Sequence, residues 1–287
     1  MRTLLICHDE AILAKEGSTR WLASFSDLAG VIILREKRQR LWKRVRREFR
    51  RVGLRIFDVA TFRLHYKLFQ ARKDHQSLQS LLADLKQRYA PVPADTPILY
   101  TDTPNSKAAV EFLQQMQPDV VIASCKQILK PKAFSVARTG TFALHPGICP
   151  EYRNAHGCFW ALANNDLGRV GMTLLKIDAG IDTGPVYGYY TYDYDEVHES
   201  HLVIQRRMML ENLDAIAARL QEIHAGTAQS INTAGRSSGE WGQPWLTAYL
   251  RWKRAAVRRR GHPQPPFAID PQIETAVAVA HARVGVH

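Results

Sequence analysis

Short, almost wholly apolar runs alternate with longer stretches in which apolar residues recur every three to four positions. Thr3–Cys7 (TLLIC), Gly30–Leu34 (GVIIL), Ile98–Tyr100, Asp119–Ser124 (DVVIAS), Thr141–Leu144 (TFAL), Gly171–Ile177 and Val186–Thr191 read as strands. Ile12–Phe25, Ser106–Met116, Cys158–Ala163 and Ser200–His224 read as helices, the last as one long helix. Pro91, Pro93 and Pro97 mark a loop before the third strand. Strands alternating with helices predict an α/β fold, with a mainly parallel sheet and helices on both faces.

Two segments depart from this rhythm. Residues 35–51 hold ten Lys or Arg, yet Leu41, Trp42, Val45, Phe49, Val52 and Ile56 keep helical spacing. This predicts a basic amphipathic helix, within a helical insertion over about residues 35–88. Trp42, Phe49, Phe57, Phe62, Tyr66 and Phe69 interleave with its cations. From about residue 226 the chain turns rich in Gly, Ser and Thr, then closes with a basic helix in WLTAYLRWKRAAVRRR and a PQPP-containing end expected to be loosely held. The expected organisation is one α/β domain over 1–225 and a short C-terminal extension over 226–287.

Charge alters the picture of partners. The net charge is +12, which suits phosphorylated substrates, an anionic membrane surface or nucleic acid. No apolar stretch reaches 18 residues, and the start lacks the pattern of a secretory signal. Cys7, Cys125, Cys149 and Cys158 form no CxxC pair, as expected of a reduced cytoplasmic protein, at most held at the inner face of a membrane.

Candidate chemistry concentrates in residues 144–188, LHPGICPEYRNAHGCFWALANNDLGRVGMTLLKIDAGIDTGPVYG. His145 follows directly on a strand, where a rigid element can aim it into a cleft. A second strand, MTLLKID, ends in the polar loop DAGIDTGP, which carries Asp178 and Asp182 around Gly180. A histidine and a carboxylate from two strand ends can form a proton-transfer pair. His145, Cys149, His156 and Cys158 are each competent zinc ligands, but their spacing matches no usual structural zinc pattern, and no metal is expected. HESH, His198–His201, lacks the i, i+4 spacing of a zinc-protease helix and reads as a helix start.

HPGICPEYRNAHGCFWAL followed by VGMTLLKIDAGIDTGPVY resembles the core of the folate-dependent formyltransferases, which act on glycinamide ribonucleotide, methionyl-tRNA or nucleotide sugars. VVIASCKQILKPKAF extends the likeness, which spans roughly residues 95–215. The resemblance implies a Rossmann-like formyltransferase fold, 10-formyltetrahydrofolate as donor and a primary amine as acceptor, preferably on an amino sugar or related small molecule. By position it implies His145 and Asp182 as the catalytic pair, with the backbone of Asp178, Ala179, Gly180 and Ile181 around the pterin ring. The family pattern has an asparagine two places before its histidine, and here that place is Ala143. Alanine has no side-chain donor, so Asn154, Lys126 and Arg153 stand as possible oxyanion or substrate contacts. The alternatives are deformylation or another acyl transfer in the same pocket, or a non-catalytic protein that binds anionic membrane or RNA.

Overall fold

In the computed structural model, residues 1–35, 46, 49–50 and 52–260 are described. The basic helix expected over 35–51 lies outside them except at Arg35, Arg46, Phe49 and Arg50, as does everything beyond residue 260.

Seven strands form one sheet: β1 (Arg2–His8), β2 (Asp27–Leu34), β3 (Ile98–Thr101), β4 (Val120–Ser124), β5 (Gly140–His145), β7 (Met172–Lys176) and β8 (Val186–Tyr190). Their spatial order is β3-β2-β1-β4-β5-β7-β8. The first five run parallel, and β7 runs antiparallel to both β5 and β8. Strands β1 and β4 are buried along nearly their whole length, as apolar runs covered on both faces must be. Strand order reverses around β1, so the carboxyl ends of β1, β4 and β5 border the crevice where open α/β sheets bind ligands.

Side-chain alternation sorts the core into two faces. Leu4, Ile6, Ile32, Val121 and Ala123 pack on α4 (Lys107–Met116) and α5 (Pro131–Phe134). Leu5, Val31, Ile122, Phe142 and Leu174 pack on α1 (Thr19–Phe25), α6 (Gly157–Ala163), α7 (His201–Leu210) and α8 (Leu213–His224). Trp252 and Ala256 of α9 (Leu246–Arg259) are buried in this second cluster, so the basic helix near the C-terminus shares the main core.

Several expected elements are divided. The helix expected over Ile12–Phe25 opens as a π-turn, Leu13–Ser18, before α1. The one expected over Ser200–His224 breaks after Leu210, where the Asn212 side chain donates to the carbonyls of Met208 and Thr191, competing with the helical ladder. The insertion forms α2 (Ile56–Phe69) and α3 (Ala71–Arg88), parted at Gln70, whose side-chain amide turns to the Tyr249 hydroxyl. Among the described residues no helix is long and apolar enough to cross a membrane.

Candidate active site

His145 is the last residue of β5, and its side chain points to the same sheet face as Ala143 and Thr141. Thr173, its partner in register on β7, is fully buried and ties down the loop that follows. Its hydroxyl donates to the Gly147 carbonyl (2.6 Å) and accepts the Cys149 N–H (3.0 Å). The loop therefore folds back over the histidine. The Nε2 of His145 lies 2.7 Å from the Tyr152 carbonyl oxygen, and its Nδ1 lies 3.3 Å from Asp182 Oδ2.

These contacts constrain the protons. A carbonyl oxygen only accepts, so the proton on Nε2 is fixed by Tyr152. Asp182 then faces Nδ1, and a carboxylate is matched there only when a second proton lies between the two atoms. The pair is thus built around one shared proton on its Nδ1 side. Asp182 is partly open to solvent, while Nε2 is occupied by the Tyr152 carbonyl, so Nδ1 is the edge turned toward Asp182 and the solvent side.

The route by which Asp182 arrives differs from two strand ends facing each other. Because β7 is antiparallel to β5, Lys176 pairs with Phe142, three residues back from His145, roughly 10 Å along the sheet. The loop 177–185 must double back to deliver the carboxylate. Asp178 shapes it by accepting the Gly180 N–H and the Thr183 hydroxyl. Asp182 adopts φ +52°, an uncommon conformation for a residue with a side chain, at the centre of the site.

The other expected site residues are placed as follows. Asn154 supplies its backbone N–H to Asp182 Oδ2 (2.8 Å). Its side-chain amide reaches the Trp241 carbonyl (2.7 Å) and Glu240. Arg153 Nη1 donates to the Ile181 carbonyl (2.8 Å) and Nε to Ser238, so it clamps loops together. The Lys126 side chain is exposed beside Glu10, while its N–H donates to Nε2 of buried His8, the last residue of β1. Ala179 and Gly180 are exposed and Ile181 is half-buried, with the Gly180 N–H already held by Asp178.

Sequence reasoning missed a strap across this site. Residues 231–242, read as irregular, run along loop 148–156. Glu240–Trp241 (β9) pairs with Arg153–Asn154 (β6). Trp241 Nε1 donates to the Glu151 carbonyl (2.9 Å), and its ring stacks on Tyr152. Arg236 binds Glu151 with two nitrogens and also donates to the Tyr189 hydroxyl, itself bonded to the Cys149 carbonyl. Little in its sequence signals this, because the bonds use backbone groups and scattered side chains. Close packing also depends on Gly147 and Gly157: a Cβ on Gly157 would meet the Gly147 Cα at 2.5 Å, and one on Gly147 would meet the Tyr152 oxygen at 2.4 Å.

Two histidines sit behind the loop, His201 buried and His156 half-buried. His156 caps α6 at φ +57°, and its ring lies 5.8 Å from that of His201, which also contacts Phe62 and Phe159. Neither Nδ1 has a hydrogen-bond partner among the described residues. Burial pushes His156 down to about 4, helped by the charges of Lys126 and Arg63. Burial also holds His201 well below the usual histidine range, with His156, Lys253 and Arg206 adding to it. Both are neutral in the native state, whereas the unfolded chain takes up protons as pH falls through about 6.5. Stability is therefore complete above that value and declines toward pH 4. Unfolding by urea should show a loss on the order of 2 kcal/mol from His156 between pH 7 and pH 5, with His201 adding in the same direction, and His201→Gln should flatten the slope. An unchanged midpoint over that range would contradict the assignment.

The zinc-capable residues do not converge. Cys158 donates its thiol to the Gly171 carbonyl, and burial pushes it up to about 12. Burial likewise raises the Cys149 thiol, with Asp182 adding to the shift. Among the described residues no group of three or more His, Cys, Asp or Glu is placed to hold a metal ion.

The family profile described as "Formyl transferase" matches residues 70–217, and the chain belongs to that family. A methionyl-tRNA formyltransferase of Thermotoga maritima is 30% identical over 129 residues, 42% of this chain and 41% of that protein. One from a Roseiflexus species is 28% identical over 185 residues, 58% of this chain and 57% of that protein. The chain thus matches about half the length of these curated relatives. A sugar N-formyltransferase from a Shewanella species superposes with TM-score 0.52 at 13% identity, over 89% of this chain and 87% of the other. A 4-N formyltransferase from Francisella tularensis gives TM-score 0.50 at 12% identity over the same shares. These likenesses bear on the fold, the mainly parallel seven-stranded sheet with helices around it.

Proposed function

We propose that this protein transfers a formyl group from 10-formyltetrahydrofolate to a primary amine, preferably that of a nucleotide-linked or lipid-linked amino sugar. The observation that carries the reading is the His145–Asp182 contact of 3.3 Å within the loop that resembles the family's folate loop. The amine nitrogen attacks the formyl carbon, and the carbonyl electrons collect on its oxygen. His145 donates its Nδ1 proton toward that oxyanion, with the ring held in place by Tyr152. Asp182 stabilises the imidazolium and relays the amine's proton toward N10, which leaves as tetrahydrofolate. The backbone of Asp178, Ala179, Gly180 and Ile181, in the turn that Asp178 shapes, borders the pterin ring. Arg153 acts as a positioning residue through Ile181, and the exposed Lys126, in the loop after β4, attracts a phosphorylated acceptor.

Ala143 lies half-buried on the face of β5 that His145 shares, beside Leu175 and Val186. It lacks the amide expected from the family resemblance, so a second oxyanion donor is missing there. Removing one such donor costs about 10²–10³ in rate where it has been measured, so adding one should raise turnover. Ala143→Asn assayed beside the native chain, with a nucleotide-linked amino sugar, should transfer formyl at least about tenfold faster. Transfer by neither protein would count against the acceptor, and a slower variant against the missing donor.

A further inference from the structure

Helix α2 is apolar on two sides. Val59 and Phe62 point inward and are buried, with Phe62 against Phe159, His201 and Tyr249. Phe57, Leu64 and Leu68 stand on the opposite side, 68%, 57% and 65% exposed. Their spacing, i, i+7 and i+11, makes one stripe along the helix. Leu54, in the turn leading into α2, and Phe69, at its end, are also exposed. Five of the ten exposed large apolar side chains among the described residues therefore fall within residues 54–69. A surface helix normally keeps one apolar stripe, turned to the core. A second stripe in water is unfavourable until another apolar phase covers it.

The surrounding charge identifies that phase. Arg55, Arg63 and Lys67 are exposed on α2 and its entry turn, as are Arg72 and Lys73 at the start of α3. The sequence just before them holds ten Lys or Arg within 35–51, in a chain of net charge +12. We propose that this stripe docks on the surface of an anionic lipid bilayer. Phe57, Leu64 and Leu68 enter the boundary between headgroups and acyl chains, while the neighbouring cations meet lipid phosphates. A second copy of the chain fits less well, because pairing the same face would bring two strongly basic segments together. Nucleic acid would satisfy the cations but offers no apolar phase to Leu64 and Leu68. The attachment is peripheral and does not depend on the reaction at His145.

The test is co-sedimentation of the full chain with phosphatidylcholine vesicles containing about one-third phosphatidylglycerol, beside vesicles of phosphatidylcholine alone. Binding to the anionic vesicles, weakened by added salt, is the expected result. The triple variant Phe57→Ser, Leu64→Ser, Leu68→Ser should lose it by about tenfold or more. Its thermal midpoint should stay near that of the native chain, since all three side chains are exposed. Should the triple variant melt early, Phe57→Gln alone repeats the comparison. Absence of native binding, or equal binding by a folded variant, overturns the proposal. So does concentration-dependent dimerisation without vesicle binding, abolished by the same substitutions, which would give the face to a second copy.

Discussion

Replacing His145 with alanine is expected to lower formyl transfer by roughly 10³-fold, because the donor to the developing oxyanion goes with the ring. Two structural effects accompany the chemical one. The Tyr152 carbonyl oxygen loses its 2.7 Å partner, and Asp182 loses the group it faces. Leaving a buried acceptor unpaired costs on the order of 1–3 kcal/mol, so the thermal midpoint should fall modestly while the protein stays folded. Asp182→Ala should also cost heavily in rate. The double variant should be scarcely slower than His145→Ala, since residues that act as a unit do not contribute additively. A His145→Ala variant retaining most of its turnover would remove the histidine from the chemistry.

The largest stability effect is expected at Arg236. Its guanidinium and the Glu151 carboxylate are both nearly sealed from solvent, with side chains 8% and 9% exposed. Arg236→Ala would leave Glu151 charged, buried and largely deprived of its partner. Breaking a buried pair from one side typically costs about 3–5 kcal/mol. The strap would then hold loop 148–156 less firmly, and the Tyr152 oxygen that fixes His145 belongs to that loop. Turnover should therefore fall along with stability, although Arg236 touches no reacting atom in the proposed scheme. The pair Arg236→Met with Glu151→Leu should recover much of the stability, because it removes both charges. Urea denaturation distinguishes these outcomes. A loss below about 0.5 kcal/mol for Arg236→Ala would show that the pair carries no such weight.

The sheet was legible because its strands are short apolar runs bounded by charge, proline or glycine, as in GVIIL and DVVIAS. His145 at the end of β5 follows from the same pattern. What could not be read was direction. The apolar content of MTLLK does not say that β7 reverses, so the backward path of loop 177–185 was hidden. The break between α7 and α8 depends on which carbonyls the Asn212 amide reaches, a tertiary fact. The inner and outer sides of α2 are both apolar, so periodicity alone cannot tell Phe62 from Phe57. The strap over residues 231–242 leaves no periodic trace, because β9 is only two residues long. Asn154 looked like an amide aimed at substrate, whereas its φ of +77° sends the backbone N–H to Asp182 and the side chain to β9.

In the proposed reaction the His145–Asp182 pair carries formyl transfer from a folate donor bound at loop 178–182. Its most direct test is single-turnover release of tetrahydrofolate from 10-formyltetrahydrofolate. Nucleotide-linked amino sugars, glycinamide ribonucleotide and methionyl-tRNA serve in turn as acceptor, and the native chain is run beside His145→Gln. One tetrahydrofolate released per formylated amine is expected with at least one of these acceptors, at a rate roughly 10³-fold lower in the folded variant. Equal rates in the two proteins, or no release with any of the three, would contradict it.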